Sequence, residues 1–220
     1  MKIKCLVGVL FLIVQQSYAQ SSDSTASFPK TMIHWSVAES IHLPSPTFML
    51  GIERRFNPRI GILFELGRVD NFNGRFLVDL PTSGIKSRLE LRNYFSSESG
   101  FSVAYWAIQL GYNEVDVAST ETFCRDNCNY FERIDYTRER RSGFLNINFG
   151  AVEEIWERLH YDVSIGAGVR VISISDEGLP TDVEFLEGGF GFNLVEIGQS
   201  DRLVLPNAYI GLRLGYLISK

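Results

Sequence analysis

The sequence predicts an all-β fold, namely an eight-stranded antiparallel up-and-down transmembrane β-barrel. Three observations lead to this prediction. Apolar and polar residues alternate along segments of strand length, the connections between segments alternate between short and long, and one register collects both charges and glycines. Because successive strand residues point to opposite faces, each segment has one apolar face and one polar face. A membrane barrel turns the apolar face to lipid and the polar face to its lumen.

The N-terminal residues have the layout of a secretory signal peptide. A basic start, MKIK, precedes a short apolar run, and the segment ends in SYA. The apolar run is shorter than the roughly 20 residues that a membrane-spanning helix needs. We therefore expect a signal peptide at 1–19, a short periplasmic segment at 20–30 and the barrel domain at 31–220. After cleavage, the mature chain is expected in the outer membrane of a Gram-negative bacterium.

Alternation along the chain predicts eight strands. Most of them are close to the roughly 9–11 residues with which a tilted strand crosses the hydrocarbon layer. Their predicted bounds are 31–39, 47–56, 59–67, 85–95, 102–113, 142–151, 158–174 and 207–218.

After the first hairpin, whose outer loop SIHLPSP is short, every second connection between these strands is long. Outer-membrane barrels have short periplasmic turns and longer extracellular loops, and an even number of strands places both termini in the periplasm. The long connections are therefore expected to be extracellular and to be where an extracellular partner binds. The short connections are 57–59, 96–100 and 152–157, and the long ones are 68–84, 114–141 and 175–206.

The polar register of the strands carries charges of both signs beside many glycines. Glycine in mid-strand marks crowding, and the interior of an eight-stranded barrel is just wide enough for side chains to fill. Buried charges cost several kcal/mol each unless they are paired. We therefore predict a salt-bridged and largely closed lumen. Its predicted charge network comprises Glu53, Glu65, Arg88, Glu90, Arg92, His160, Asp162, Arg170 and Arg213.

Cysteine content and net charge indicate which cross-links and which partners to expect. Cys124 and Cys128 form a C-x3-C pair, which in an exported chain predicts a small loop-clamping disulfide. The net charge is −5 and becomes more negative once Lys2 and Lys4 are removed, so a nucleic-acid partner is not indicated. The sequence shows neither a phosphate-binding loop nor a cluster of metal ligands, so no cofactor or metal is expected.

Four stretches carry a resemblance to a known class of proteins: the signal peptide ending SYAQ, the run FMLGIERRFNPRIGILFELG, the strand KSRLELRNYF and the C-terminal YIGLRLGYLISK. Together they resemble the small eight-stranded outer-membrane barrels of the OmpA transmembrane-domain and OmpX type, in particular barrel families of Bacteroidota-like bacteria. The resemblance implies contact with outer-membrane lipid and recognition of the C-terminal strand by the assembly machinery. The class includes adhesion and membrane-integrity proteins, narrow pores and a few lipid-modifying enzymes, so fold alone does not select a function.

The preferred prediction is a structural or interaction role through the three long outer loops, without catalysis. A narrow, porin-like channel for water or small ions is one alternative. A second is a lipid-modifying enzyme, because His34-Trp35-Ser36 resembles the His-x-Ser pair of lipid A deacylases, with Glu39 or Glu53 to orient the histidine. By parity, however, His34 and Ser36 face the lumen rather than lipid. A third alternative is a soluble periplasmic barrel that binds a small apolar ligand.

Overall fold

The structure is a computed structural model that describes residues 31–41, 45–69, 82–95, 102–125, 129–178 and 202–219. The predicted signal peptide and the periplasmic segment at 20–30 lie outside the described residues. Most residues of the predicted outer loops at 68–84 and 175–206 also lie outside them.

The chain is an antiparallel up-and-down β-barrel, as predicted. Each strand pairs with its neighbours in chain order, and β1 pairs with β8 to close the barrel. Among the described residues, no helix is long and apolar enough to span a membrane. Within those residues the chain forms β1 (Thr31–Ser36), α1 (Val37–Ser40), β2 (Thr47–Arg55), β3 (Ile60–Val69), β4 (Thr82–Tyr94), β5 (Ser102–Arg125), β6 (Tyr130–Trp156), β7 (Leu159–Glu177) and β8 (Leu203–Ser219).

The barrel has two distinct ends. The inner end carries the first residue of β1, the last residues of β8 and the β2–β3, β4–β5 and β6–β7 connections. The outer end carries the other four connections, including α1.

Burial alternates along the strands with the period of two that the pleat requires. In β7, Asp162 and Ser164 point into the lumen and are buried, whereas Val163 and Ile165 are 43% and 62% exposed. The sequence therefore predicted correctly which residues of this strand face the lumen and which face outward.

The prediction that residues 114–141 form a loop is wrong. Strands β5 and β6 remain paired from Ser102 opposite Glu153 to Arg125 opposite Tyr130, so most of this segment is a long β-hairpin. Polar residues dominate both of its faces, which removes the alternation by which the other strands were found. Backbone pairing needs no apolar face, and the segment is rich in the β-branched and aromatic residues that favour strands. We call residues 118–136 the outer hairpin.

Two shorter connections also differ from the prediction. Strand β6 runs through the predicted turn at 152–157 as far as Trp156, so the turn to β7 lies at 157–158. Strand β1 ends at Ser36 rather than at 39, and the next four residues form α1 at the outer end. The backbone of β1 thus leaves the barrel wall earlier than alternation predicts.

Glycines on the lumen face make room for large side chains from neighbouring strands. A Cβ at Gly150 would lie 2.6 Å from the ring of Tyr105, and one at Gly111 would overlap the ring of Phe144. At Gly168 the obstacle is backbone, because a Cβ there would overlap the carbonyl oxygen of Leu145 on the paired strand. The lumen is therefore close-packed rather than water-filled at these positions.

Replacing Gly168 with alanine is expected to lower the free energy of unfolding by about 1–3 kcal/mol, the usual cost of overpacking. The partner strand cannot move away from the new methyl group without disturbing its hydrogen bonds. Urea unfolding of the barrel in lipid vesicles measures this.

Gly143→Ala is the matched control, because a Cβ at this strand glycine meets nothing closer than the carbonyl oxygen of Gly111 at 3.9 Å. It should leave stability unchanged within a few tenths of a kcal/mol. Equal effects of the two substitutions would contradict the close packing described here.

Candidate functional site

The centre of the lumen is occupied by two arginines with no solvent exposure, Arg92 of β4 and Arg213 of β8. Carboxylates project toward them from several other positions of the wall. Because all of these groups are withdrawn from water, their charges must be balanced within the barrel. The central carboxylates are Glu53 of β2, Glu65 of β3, Glu90 of β4 and Asp162 of β7.

Arg213 contacts three of these carboxylates. Its Nε and Nη2 donate to the two oxygens of Glu65 at 3.0 and 3.1 Å, a bidentate arrangement. Nη2 also donates to Glu90 Oε1 at 2.5 Å, and Nη1 donates to Asp162 Oδ2 at 3.2 Å. A further bond from Nη2 to the Tyr209 hydroxyl, at 2.7 Å, fixes the guanidinium plane.

Arg92 shares two of the same carboxylates. Its Nη2 donates to Glu90 Oε2 and to Asp162 Oδ2, both at 2.8 Å, while Nη1 donates to Glu53 Oε2 at 3.0 Å. Its guanidinium stacks over the ring of Tyr105 at 4.5 Å. Glu90 and Asp162 thus bridge the two arginines, so the central charges form one connected network.

Amide side chains extend this network to further strands of the wall. Gln109 Nε2 donates to Glu90 Oε1 at 2.6 Å, and Gln109 Oε1 accepts from Asn146 Nδ2 at 2.8 Å. Asn146 Oδ1 in turn accepts from Asn207 Nδ2 at 2.8 Å. The chain of amides joins β5, β6 and β8.

Toward the inner end the network continues through Glu53. This carboxylate accepts from His34 Nε2 at 2.9 Å, from Arg55 Nε at 3.0 Å and from the Tyr94 hydroxyl. His160, which was predicted to belong to the network, is only half-buried and has no ion pair within the described part of the chain. It lies beyond the last central carboxylate rather than among the ion pairs.

At the outer end, α1 brings a carboxylate into the lumen that the sequence did not assign to it. Glu39 is buried and accepts hydrogen bonds from Lys86 Nζ, at 3.0 Å, and from Arg88. Had β1 continued to residue 39, Glu39 would share the outward register of Ile33 and Trp35. The helical turn rotates it inward, and no alternation pattern could have shown this.

The candidate catalytic pair does not assemble among the described residues. His34 uses Nε2 to bind Glu53, while its Nδ1 and the Ser36 hydroxyl have no partner there. Ser36 is 1% exposed and faces the lumen, so a membrane lipid has no path to it. The geometry suits a histidine that is part of an ion-pair network better than one that activates a nucleophile.

An ion pair also lies at the base of the outer hairpin. Arg138, just beyond it on β6, donates from Nε and Nη2 to the two oxygens of Asp176 at 2.8 and 3.0 Å. These hydrogen bonds raise the pKa of the guanidinium.

The side chain of Cys124, near the tip of the outer hairpin, is buried. Because Cys128 lies outside the described residues, the Cys124–Cys128 disulfide stays a prediction. Within the described ranges, no group of His, Cys, Asp and Glu side chains could hold a metal ion.

Comparison with known proteins adds a structural likeness. No family model and no curated protein matches the chain. The N-terminal β-barrel domain of Pseudomonas aeruginosa OprF is similar to it in structure. The TM-score is 0.41 and the sequence identity 12%, over 86% of this chain and 98% of that one.

Removing the Glu90 carboxylate should destabilise the barrel strongly. In Glu90→Ala, Arg92 and Arg213 each lose a buried counter-charge, and breaking a buried ion pair in this way costs about 3–5 kcal/mol. Arg88→Ala should have a comparable effect, because it removes a partner of Glu39. The measurement is equilibrium unfolding in lipid vesicles.

Asp176→Ala serves as the control, since its partner Arg138 is partly solvated. We expect it to cost about 1 kcal/mol or less, as for other exposed pairs. If Glu90→Ala were no more harmful than Asp176→Ala, water would have to screen the lumen charges, and the lumen would be open.

Proposed function

We propose that this chain is an outer-membrane β-barrel with a lumen closed by ion pairs. Its role is structural or interactive and is exerted through its outer end. The single observation that carries the proposal is the inverted arrangement of polarity, with charges buried in the barrel and apolar side chains exposed around it. The proposal includes export by the signal peptide at 1–19 and recognition of β8 by the assembly machinery.

The exterior of the barrel supports contact with lipid. Monomeric soluble proteins rarely expose apolar patches of more than a few hundred Å². Here an exposed apolar band runs around the barrel at mid-height. It includes Leu50, Ile52, Phe64, Leu66, Leu91, Ile108, Leu110, Leu145, Ile147, Val163, Ile165, Ile210 and Leu212.

Aromatic residues flank this band at both ends. Such belts are typical of membrane interfaces, where a ring keeps one edge in the apolar layer and one in water. Toward the outer end lie Trp35, Phe48 and Tyr112, and toward the inner end Phe95, Trp156 and Tyr216.

The lumen supports a closed barrel over the alternatives. An apolar ligand requires a mainly apolar pocket, whereas the centre of this barrel holds Arg92, Arg213 and their carboxylates. An open pore requires a continuous water path, which the same groups obstruct. An enzyme acting on lipid would need its reactive group on the outer wall, where neither His34 nor Ser36 lies.

The outer hairpin supports an interaction role. Strand β4 ends with Thr82 opposite Val117, and β7 ends with Glu177 opposite Thr137. Beyond these points, the two strands of the hairpin pair only with each other among the described residues. At about 3.3 Å per residue, the hairpin extends roughly 25 Å past its neighbours. We propose it, with the segments at 68–84 and 175–206, as the surface that meets an extracellular partner.

Placing a charge on the apolar band tests contact with lipid. Ile165→Arg should lower the free energy of unfolding in vesicles by about 2–4 kcal/mol, because an arginine near the bilayer midplane must leave water. Ile165→Leu, of similar volume and polarity, should change it by less than about 1.5 kcal/mol.

The neighbouring lumen position, Ser164, provides the second control. Ser164→Ala removes one hydroxyl, which accepts from Arg213 Nη1 at 3.3 Å, and should cost much less than Ile165→Arg. Equally mild effects of the arginine and alanine substitutions would show that this face does not contact lipid.

Conductance distinguishes the closed barrel from the narrow pore. The folded wild-type protein should migrate differently on gels before and after heating and should give no steady conductance in planar bilayers. A steady ohmic conductance of the folded barrel would overturn the closed lumen and favour the channel.

A further inference from the structure

Among the described residues, the outer part of the lumen holds more cations than carboxylates. Lys86 and Arg88 of β4 and Arg170 of β7 all interact electrostatically with Glu39, and also with one another. Three cations around one carboxylate leave an excess of two positive charges. Arg140, higher on β6, adds a further positive charge near Arg170.

The central network does not neutralise this excess. Glu65 is near enough to act on Arg88, but both of its oxygens accept from the Arg213 guanidinium. The other central carboxylates are engaged by Arg92 and Arg213 as described above. The outer cluster is therefore electrostatically incomplete within the described residues, whereas the central cluster has a partner for every charge.

Two arginines of the outer cluster have unused donors. Arg88 is only 6% exposed, yet its Nε and Nη1 have no partner among the described residues, since its one hydrogen bond is from Nη2 to Glu39. The Nε of Arg170 is also buried and has no partner in the described part of the chain. Buried donors on charged groups are costly to leave unsatisfied.

Both guanidinium groups are held in place by aromatic rings. Arg88 stacks over Tyr209 at 5.2 Å and Arg170 over Phe144 at 5.7 Å. Stacking fixes the plane of a guanidinium without using its N–H groups, which stay available to an acceptor. The donors are thus positioned before any ligand arrives.

We propose that the outer lumen is a binding site for a small free oxyanion, of which inorganic phosphate is the representative. It would accept from Nε and Nη1 of Arg88 and from Nε of Arg170, with Lys86 adding charge. Guanidinium groups match oxyanions well because their fixed fork of donors can bond two oxygens at once. The site opens into the lumen, so its ligand is a dissolved ion and not the headgroup of a surrounding lipid.

The entrance to this site lies at the outer end. Arg170 is half-buried and so is partly reached by solvent, whereas Arg88 is buried and donates to Glu39 of α1. Arg170 is also the member of the cluster that has no ion pair with any described residue. Its substitution therefore removes a ligand contact without breaking a pair on which folding depends.

The test is calorimetric titration of inorganic phosphate into the folded full-length barrel in detergent, at constant ionic strength in chloride. We expect saturable binding of one phosphate per chain. Arg170→Gln should weaken the affinity about tenfold or more while leaving heat-modifiable gel migration, and hence folding, intact. Arg88→Gln should abolish binding if it folds, but it also removes a partner of Glu39, so Arg170→Gln is the deciding variant.

Arg138→Gln is the matched control, because it removes an arginine whose Nε and Nη2 are already paired with Asp176. Its affinity for phosphate should stay within twofold of wild type. The proposal is overturned if folded wild-type protein shows no saturable binding or if Arg170→Gln keeps the wild-type affinity. It is also overturned if Arg138→Gln loses as much affinity as Arg170→Gln, since general surface charge would then explain the binding.

Discussion

The sharing of Glu90 and Asp162 between Arg92 and Arg213 is the interaction on which the rest of this barrel depends. Closing eight strands fixes the radius of the lumen, and side chains must fill it. A lumen filled by charged groups excludes the water that would otherwise solvate them, so each charge needs a partner inside. A connected network meets this requirement, because each guanidinium donates to several oxygens and each central carboxylate accepts at least two hydrogen bonds.

Space for the network comes from small residues on the same face. Gly51 lies against the side chain of Glu65, and Gly61 against Glu53 and Arg55. Large charged groups on some strands therefore coincide with missing side chains on their neighbours. Packing of this kind among the described residues supports the closed lumen that we propose.

The two ends of the barrel differ in charge and in accessibility. At the centre and inner end, the arginines and carboxylates are densely interconnected. At the outer end, α1 supplies one carboxylate to a group of cations, and the strands continue into the outer hairpin. The binding that we propose, of an ion in the lumen and of a partner at the hairpin, is thus concentrated at the outer end, while the centre of the barrel holds the ion pairs expected to stabilise it.

The sequence by itself determined the number of strands, their order and the face on which most residues lie. These follow from a period-two pattern that is local to each strand and is enforced by the contrast between a polar lumen and an apolar surface. The sequence could therefore predict that residues such as Glu90 and Arg213 face the lumen. The length of the outer hairpin was not, because its two faces do not differ in polarity.

Only the tertiary structure decided which charges meet. Arg213 and Glu65 are 148 positions apart, and their contact depends on the stagger of the strands and on distances across the lumen. The same geometry leaves His160 and Arg170 outside the central network, although both lie in the polar register. It also brings in Glu39, because a single turn of helix reverses the direction that strand parity would give. Local pattern sets the face of a residue, whereas partners are set by closure of the barrel.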